Sequence, residues 1–267
     1  MPTPTRMMVD IHCHMIPGID DGSPSLEVSL DMARMAVNDG IGTVICTPHQ
    51  LGNFQHNSGD SIRQQTQQFQ IELQKARIPL RVLPGGDVRI EEPMIRGLGD
   101  GAVMSLADHR RHVLLELPHE LYFPLEPILQ NLEAKGMVGI LSHPERNRGI
   151  LQQPELIPTL VDQGCLMQVT AGSLLGSMGK ECQELSRSML LDGLVHFIAS
   201  DAHGNKLRRP LLRRAFDEVA RLTDEATAQD LFVRYPACVA IGKDIPAGRR
   251  KVLQKTNDRW FGWKKVS

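Results

Sequence analysis

The chain has 267 residues, 41% of them apolar and 23% charged, with a formal net charge of −1. Such a composition is that of a globular protein with room for a full core, and the near-zero charge excludes a global field that would draw it to nucleic acid or a membrane. No run approaches the ~18 apolar residues of a membrane span, residues 1–6 lack the apolar stretch of a signal peptide, and five cysteines without CxxC spacing predict free thiols in a reducing cytoplasm.

Taken in chain order, short apolar β-type runs alternate with helical segments. Residues 7–12 read as the first strand. Ser23 has the character of an N-cap with Pro24 at the first helical position, and Leu26, Leu30, Ala33 and Val37 then define one helical face up to Gly40. A second strand over 43–46 runs into Thr47-Pro48-His49, and a Gln-rich helix follows over 61–76. Residues 80–83 predict a third strand leading to Gly85-Gly86-Asp87. Strands over 112–117, 137–141, 165–169 and 194–199 complete the set, with helices over 124–135, 154–163, 181–192 and 211–222 between and after them. Strands alternating with helices imply βαβ units and a parallel sheet. About seven units fit an α/β fold of the distorted (β/α)7 barrel type better than a doubly wound sheet. We expect a single barrel domain over 1–248 followed by a tail over 249–267.

Six of the seven predicted strands finish in a residue type that binds metals: His12 and His14, His49, Asp87, Glu116, His143, and Asp201 with His203. In a parallel barrel the strand ends share one face, so these residues converge although they are far apart in sequence. Taken singly, each has a bland reading as a surface or hydrogen-bonded side chain. Five of the ten histidines fall at strand ends, whereas His56, His109, His112, His119 and His196 lack that context. Imidazole suits Zn, Fe and Mn, and carboxylates suit harder ions and can bridge two. Ions about 3.5–4 Å apart clamp a phosphoryl group and lower the pKa of bound water toward ~7.

Together, Asp10-Ile11-His12-Cys13-His14, Pro17-Gly18-Ile19-Asp20-Asp21-Gly22, Thr47-Pro48-His49, Glu116-Leu117-Pro118, Ser142-His143-Pro144-Glu145-Arg146 and Ser200-Asp201-Ala202-His203 resemble the polymerase-and-histidinol-phosphatase superfamily. More narrowly they resemble its bacterial protein-tyrosine phosphatase branch, associated with capsule and exopolysaccharide regulation. The resemblance runs from about Asp10 to Pro210. It implies up to three metal ions, most often Mn2+, with Fe, Zn or Mg as alternatives. It implies hydrolysis of phosphotyrosine on a protein, a membrane-bound bacterial tyrosine kinase being the expected partner. Carried over residue by residue, the ligands are His12, His14, His49, Glu116, His143, Asp201 and His203, with Asp20 in the matching loop as a further candidate. Asp87 stands where the family usually has Glu, one methylene longer; Glu91 or Glu92 could serve in its place.

Arg146 is the expected phosphate clamp, because guanidinium pairs two oxygens at once. Arg208 or Arg209 could assist, and His203 or a water could help the phenolate leave. No cysteine is followed six positions later by Arg, so a thiol-based phosphatase is not indicated. Competing readings are a phosphatase for a small phosphomonoester such as histidinol phosphate, a metal-dependent nuclease, and a non-catalytic metal-binding regulator. The near-neutral charge argues against nucleic acid as partner. The tail carries Arg249, Arg250, Lys251, Lys255, Arg259, Lys264 and Lys265 against Asp258, with Trp260, Phe261 and Trp263. It could meet an anionic membrane surface, dock a partner or pack on the barrel.

Overall fold

The computed structural model describes residues 7–246. The basic aromatic segment over 249–267 lies outside them. Among the described residues nine strands run in order: β1 (Met8–Cys13), β2 (Ile41–Cys46), β3 (His49–Gln50), β4 (Arg81–Pro84), β5 (Asp87–Arg89), β6 (His112–Glu116), β7 (Val138–Ser142), β8 (Leu166–Thr170) and β9 (Phe197–Ala199). Every pairing between them is parallel.

The seven expected strands are recovered, but two are split. Thr47-Pro48 divides the second strand into β2 and β3, since proline cannot donate to a ladder. Gly85-Gly86 divides the third into β4 and β5; a Cβ on Gly85 would lie 2.8 Å from Ile45 Cγ2, so this inward position has no room for a side chain. The sheets are therefore β1-β2-β4 and β3-β5-β6-β7-β8-β9. Chain continuity through the two split strands, β2 into β3 and β4 into β5, sets the sheets beside each other as an open, barrel-like ring in sequence order rather than a closed ladder. Its seam, between β9 and β1, carries a single parallel bridge, Cys13 to Ala202, rather than a continuous ladder. Backbone bonds from Asp201 N–H to His12 O (2.8 Å) and His14 N–H to Ala202 O (2.9 Å) reinforce it. Asp10 adds to the seam from inside the wall, accepting from Ser200 N–H (3.1 Å) and Ser200 Oγ–H.

Helices flank the ring where periodicity predicted them, including Leu26–Asn38, Gly59–Lys75, Glu126–Ala134, Leu156–Asp162, Lys180–Leu191 and Arg213–Leu222. The first cap differs from expectation. Ser25, not Ser23, caps helix Leu26–Asn38 by accepting from Val28 N–H. Ser23 is buried and tied back to the first strand's exit, its N–H donating to His14 O.

Side-chain alternation positions the site. Val9, Ile11, Ile45, Leu114, Ile140, Phe197 and Ala199 form an apolar plug inside the ring, closed below by Val239 and Ala240 of helix Tyr235–Ala240. A strand's inward positions recur every second residue. Two residues beyond Leu114 comes Glu116, and two beyond Ala199 comes Asp201; four beyond Ile45 comes His49. In β1 this rule alone would turn His12 outward, since Val9 and Ile11 face the plug. A register shift between Asp10 and Cys13 reverses the parity, so that His12 faces inward above Ile11. Cys13 is buried with its Sγ near Ala202 O, and burial, with Asp10's charge beside it, holds its thiol well above the usual range.

Candidate metal centre

Above the plug, four overlapping sets of ligand atoms come together: His12, His14 and Asp87; His12, His143 and Asp201; His49, Asp87 and Glu116; and His14, Asp21, His49 and His203. Within each set all ligand atoms lie within 4.8 Å of one another. Ligand bonds of roughly 2.0–2.3 Å are consistent with one divalent ion being held by such a set. Asp87 tests the fit most sharply. Its carboxylate is fully buried, neither oxygen has a hydrogen-bond partner, and it belongs to two of the sets. A buried carboxylate without hydrogen bonds is costly unless it meets a cation. His12 Nε2 and His49 Nδ1 face it as ion-pair partners, each at 3.4 Å.

The charges reinforce one another. Burial opposes protonation of His12, but Asp201 and Asp87 outweigh it and raise its pKa to about 9. Burial is likewise overcome at His49 by Asp87 and Glu116, which raise it to about 11. Asp201, despite burial, is held well below the usual carboxylate range by His12, His143 and Arg208. Burial and its three histidine neighbours push His14 well below normal. Burial and then Arg146's charge lower His143 to about 3. A site that gathers carboxylates and imidazole nitrogens, many of them buried, attracts positive charge, and divalent cations satisfy both donor types.

Two of the candidate ligand histidines are oriented by neighbours. His12 Nδ1 lies 2.8 Å from Gln168 Oε1, to which Nδ1–H donates, leaving Nε2 to face the cluster. His14 Nδ1 lies 2.7 Å from Asp20 Oδ2. The second Asp20 oxygen accepts from Gly22 N–H at 3.0 Å, and Oδ2 also accepts from His49 N–H at 3.1 Å. The expected ligand Asp20 is thus committed to hydrogen bonds, and its neighbour Asp21 points into the cluster instead, 3.4 Å from His49 Nε2 and 3.6 Å from His203 Nε2. The turn that achieves this passes so close to His14 that a Cβ on Gly22 would lie 2.4 Å from His14 Cβ. His143 and Asp201 both take left-handed backbone conformations, φ 32° and 49°, which re-aim their side chains at the ends of their strands.

Arg146 and Arg208 both donate to Asp201 Oδ2, while Oδ1 faces His12 at 3.3 Å. Arg209 is exposed. The structure therefore brings Arg208 to Asp201 and leaves Arg209 outside. Glu91 and Glu92 do not take the place of Asp87: Glu91 accepts from Gly52 N–H and pairs with Arg89 at 3.1 Å, and Glu92 is exposed. Asp21 and Gln168, which the structure adds to the cluster and its support, were not among the residues expected from the sequence. Gln168 had a signal, a lone amide at an inward position of an otherwise apolar strand. Asp21 had none that separated it from Asp20.

The family described as "Capsular polysaccharide synthesis, CpsB/CapC" matches residues 8–240. The chain belongs to the CpsB/CapC family. The tyrosine-protein phosphatase YwqE of Bacillus subtilis is 39% identical over 203 residues, 75% of this chain and 79% of the relative. A putative tyrosine-protein phosphatase CapC of Staphylococcus aureus is 30% identical, covering 79% and 83%. A chain from the crystal structures of YwqE from Bacillus subtilis and CpsB from Streptococcus pneumoniae, described as unique metal-dependent tyrosine phosphatases, superposes with a TM-score of 0.84 at 34% identity, covering 89% of this chain and 96% of that one. The phosphotriesterase homology protein of Escherichia coli shares the fold alone, with a TM-score of 0.57 at 10% identity. For this CpsB/CapC member the barrel expectation thus stands as an α/β fold of parallel sheets similar in fold to barrel enzymes, with a lightly bridged seam rather than a closed barrel.

Proposed function

We propose that the chain removes phosphate from phosphotyrosine on a protein, using divalent ions held by His12, His14, Asp21, His49, Asp87, Glu116, His143, Asp201 and His203. The observation that carries this reading is Asp87, a buried carboxylate without a hydrogen bond at the junction of two ligand sets. The names of the YwqE and CapC relatives support the tyrosine phosphatase activity. Bound ions would polarise the phosphoryl oxygens and activate water.

The chain's own residues supply the rest. Arg146 and Arg208, gathered on Asp201, would grip phosphoryl oxygens from one flank. Arg208 supports this role with a buried Nε that has no hydrogen-bond partner. Tyrosyl oxygen leaves with a pKa near ~10 and needs modest proton help. His203, with Nδ1 held 3.1 Å from Asp201 O, offers Nε2 to the ligand set, so a water beside it is the proposed proton source. Mn2+ is the proposed native ion and a membrane-bound bacterial tyrosine kinase the proposed substrate. A cytoplasmic location accords with five free cysteines among the described residues and with no described helix long and apolar enough to cross a membrane.

The test is turnover of phosphotyrosine peptides beside histidinol phosphate, with added Mn2+ and then with a chelator. Peptide hydrolysis that a chelator abolishes is expected. Chelator-resistant activity, or full activity in the His12→Ala/His14→Ala double variant, would overturn the reading.

A further inference from the structure

We infer that Phe54 is the platform on which the substrate's aromatic ring stacks, and hence the residue that biases this site toward aryl over alkyl phosphomonoesters. The inference rests on the phosphotyrosine reading and adds a residue to it. Phe54 lies in the turn after β3, bridged to Leu51, whose carbonyl accepts from Phe54 N–H at 2.8 Å. The turn is tied down: Asn57 Nδ2 donates to His49 O (2.9 Å) and to Ile19 O (3.1 Å), and Gln50 Nε2 donates to Asn57 O (2.7 Å). Within it the Phe54 ring stacks on the His49 imidazole, with centroids 5.3 Å apart and planes 22° apart. The two nitrogens of that same imidazole face Asp87 and Glu116 on one edge and Asp21 on the other. Phe54 therefore borders two ligand sets at once.

Packing does not explain it. Phe69, Phe197, Phe216 and Phe232 are buried core residues, while Phe54 is partly exposed and belongs to neither hydrophobic cluster. An aryl phosphate joins a doubly charged head to a flat apolar ring. The site offers cationic Arg146 and Arg208 at Asp201 on one flank and a flat ring at His49 on the other. Offset stacking between aromatic rings is a favourable arrangement of this kind.

The experiment compares wild type, Phe54→Ala, Phe54→Leu and Phe54→Trp, loaded with Mn2+, on phosphotyrosine and on glycerol phosphate, with metal affinity measured by titration. Loss of the ring should raise KM for phosphotyrosine about 3- to 10-fold. It should leave kcat, the glycerol phosphate KM and metal affinity within about twofold, and Trp should restore the aryl preference. The Leu variant keeps apolar bulk without a plane, so it guards against a loop that collapses in the Ala variant. If KM rises equally for both substrates, or metal affinity falls with kcat, Phe54 only holds His49 and the inference fails. If wild type itself does not turn over phosphotyrosine, the failure lies in the underlying reading and takes this inference with it.

Discussion

The floor and the rim of the cluster are built on different terms. The floor, His12, His14, Asp87 and Asp201, is at most 1% exposed and comes from strands or their immediate ends. The rim, Asp21, His49, Glu116, His143 and His203, is open to solvent in part, with Asp21 as much as 58% exposed. Floor groups cannot be relieved by water, so each must be satisfied by a cation or a partner, and removing one leaves the others uncompensated. Rim groups can fall back on solvent.

The largest effect should come from the floor. Asp87→Ala is expected to lower kcat/KM by ~10³ or more, the loss of several kcal/mol of charge stabilisation, and to release metal on dialysis. Asp87→Glu, which restores the longer carboxylate, tests whether the short residue suits this pocket: an increase in metal content would mark the Asp as a weakened ligand. A rim change should cost less. Asp21→Ala is expected to lower turnover by ~10²-fold and to reduce bound metal without emptying the floor; elemental analysis showing no change would break the contrast. Orienting residues come next. Gln168→Leu and Asp20→Leu should each weaken metal binding by ~10–100-fold, the usual cost of losing a partner behind a ligand histidine, measured by titration.

The smallest effect separates cluster histidines from distant ones in the metal-free protein. Burial lowers His112 and His196 to about 4. Their unfolded forms take up protons at higher pH, so their contribution is full above about 6.5 and is lost as pH falls toward 4, by ~1–3 kcal/mol each. His12, raised to about 9, works the other way: its contribution is full below about 6.5 and is lost as pH rises through 9. Melting temperature against pH should decline on both sides, and His196→Gln should flatten only the acid limb.

Most helices were legible because amphipathic periodicity is local. The first cap was less so. Ser23 and Ser25 are both acceptable cap residues flanking Pro24, and the choice falls to Ser25, which accepts from Val28 N–H while Ser23 N–H is held by His14 O. The split strands announced themselves as Thr47-Pro48 and Gly85-Gly86, but a break in hydrogen bonding is seen only once neighbours are placed. Arg208 and Arg209 are adjacent and chemically identical, so the choice between them belongs to the loop, where Arg208 takes φ 47°.

By itself the sequence determined that strands and helices alternate and that histidines and carboxylates end the strands, because both are properties of residue order and side-chain period. Tertiary structure decided how those ends are aimed. A register shift in β1 turned His12 inward, a tight turn at Gly22 sent Asp21 rather than Asp20 to the cluster, and Gln168 arrived from a strand over 150 residues away. Direction depends on backbone parity and on partners distant in the chain, and neither is written in the spacing of the residues it governs.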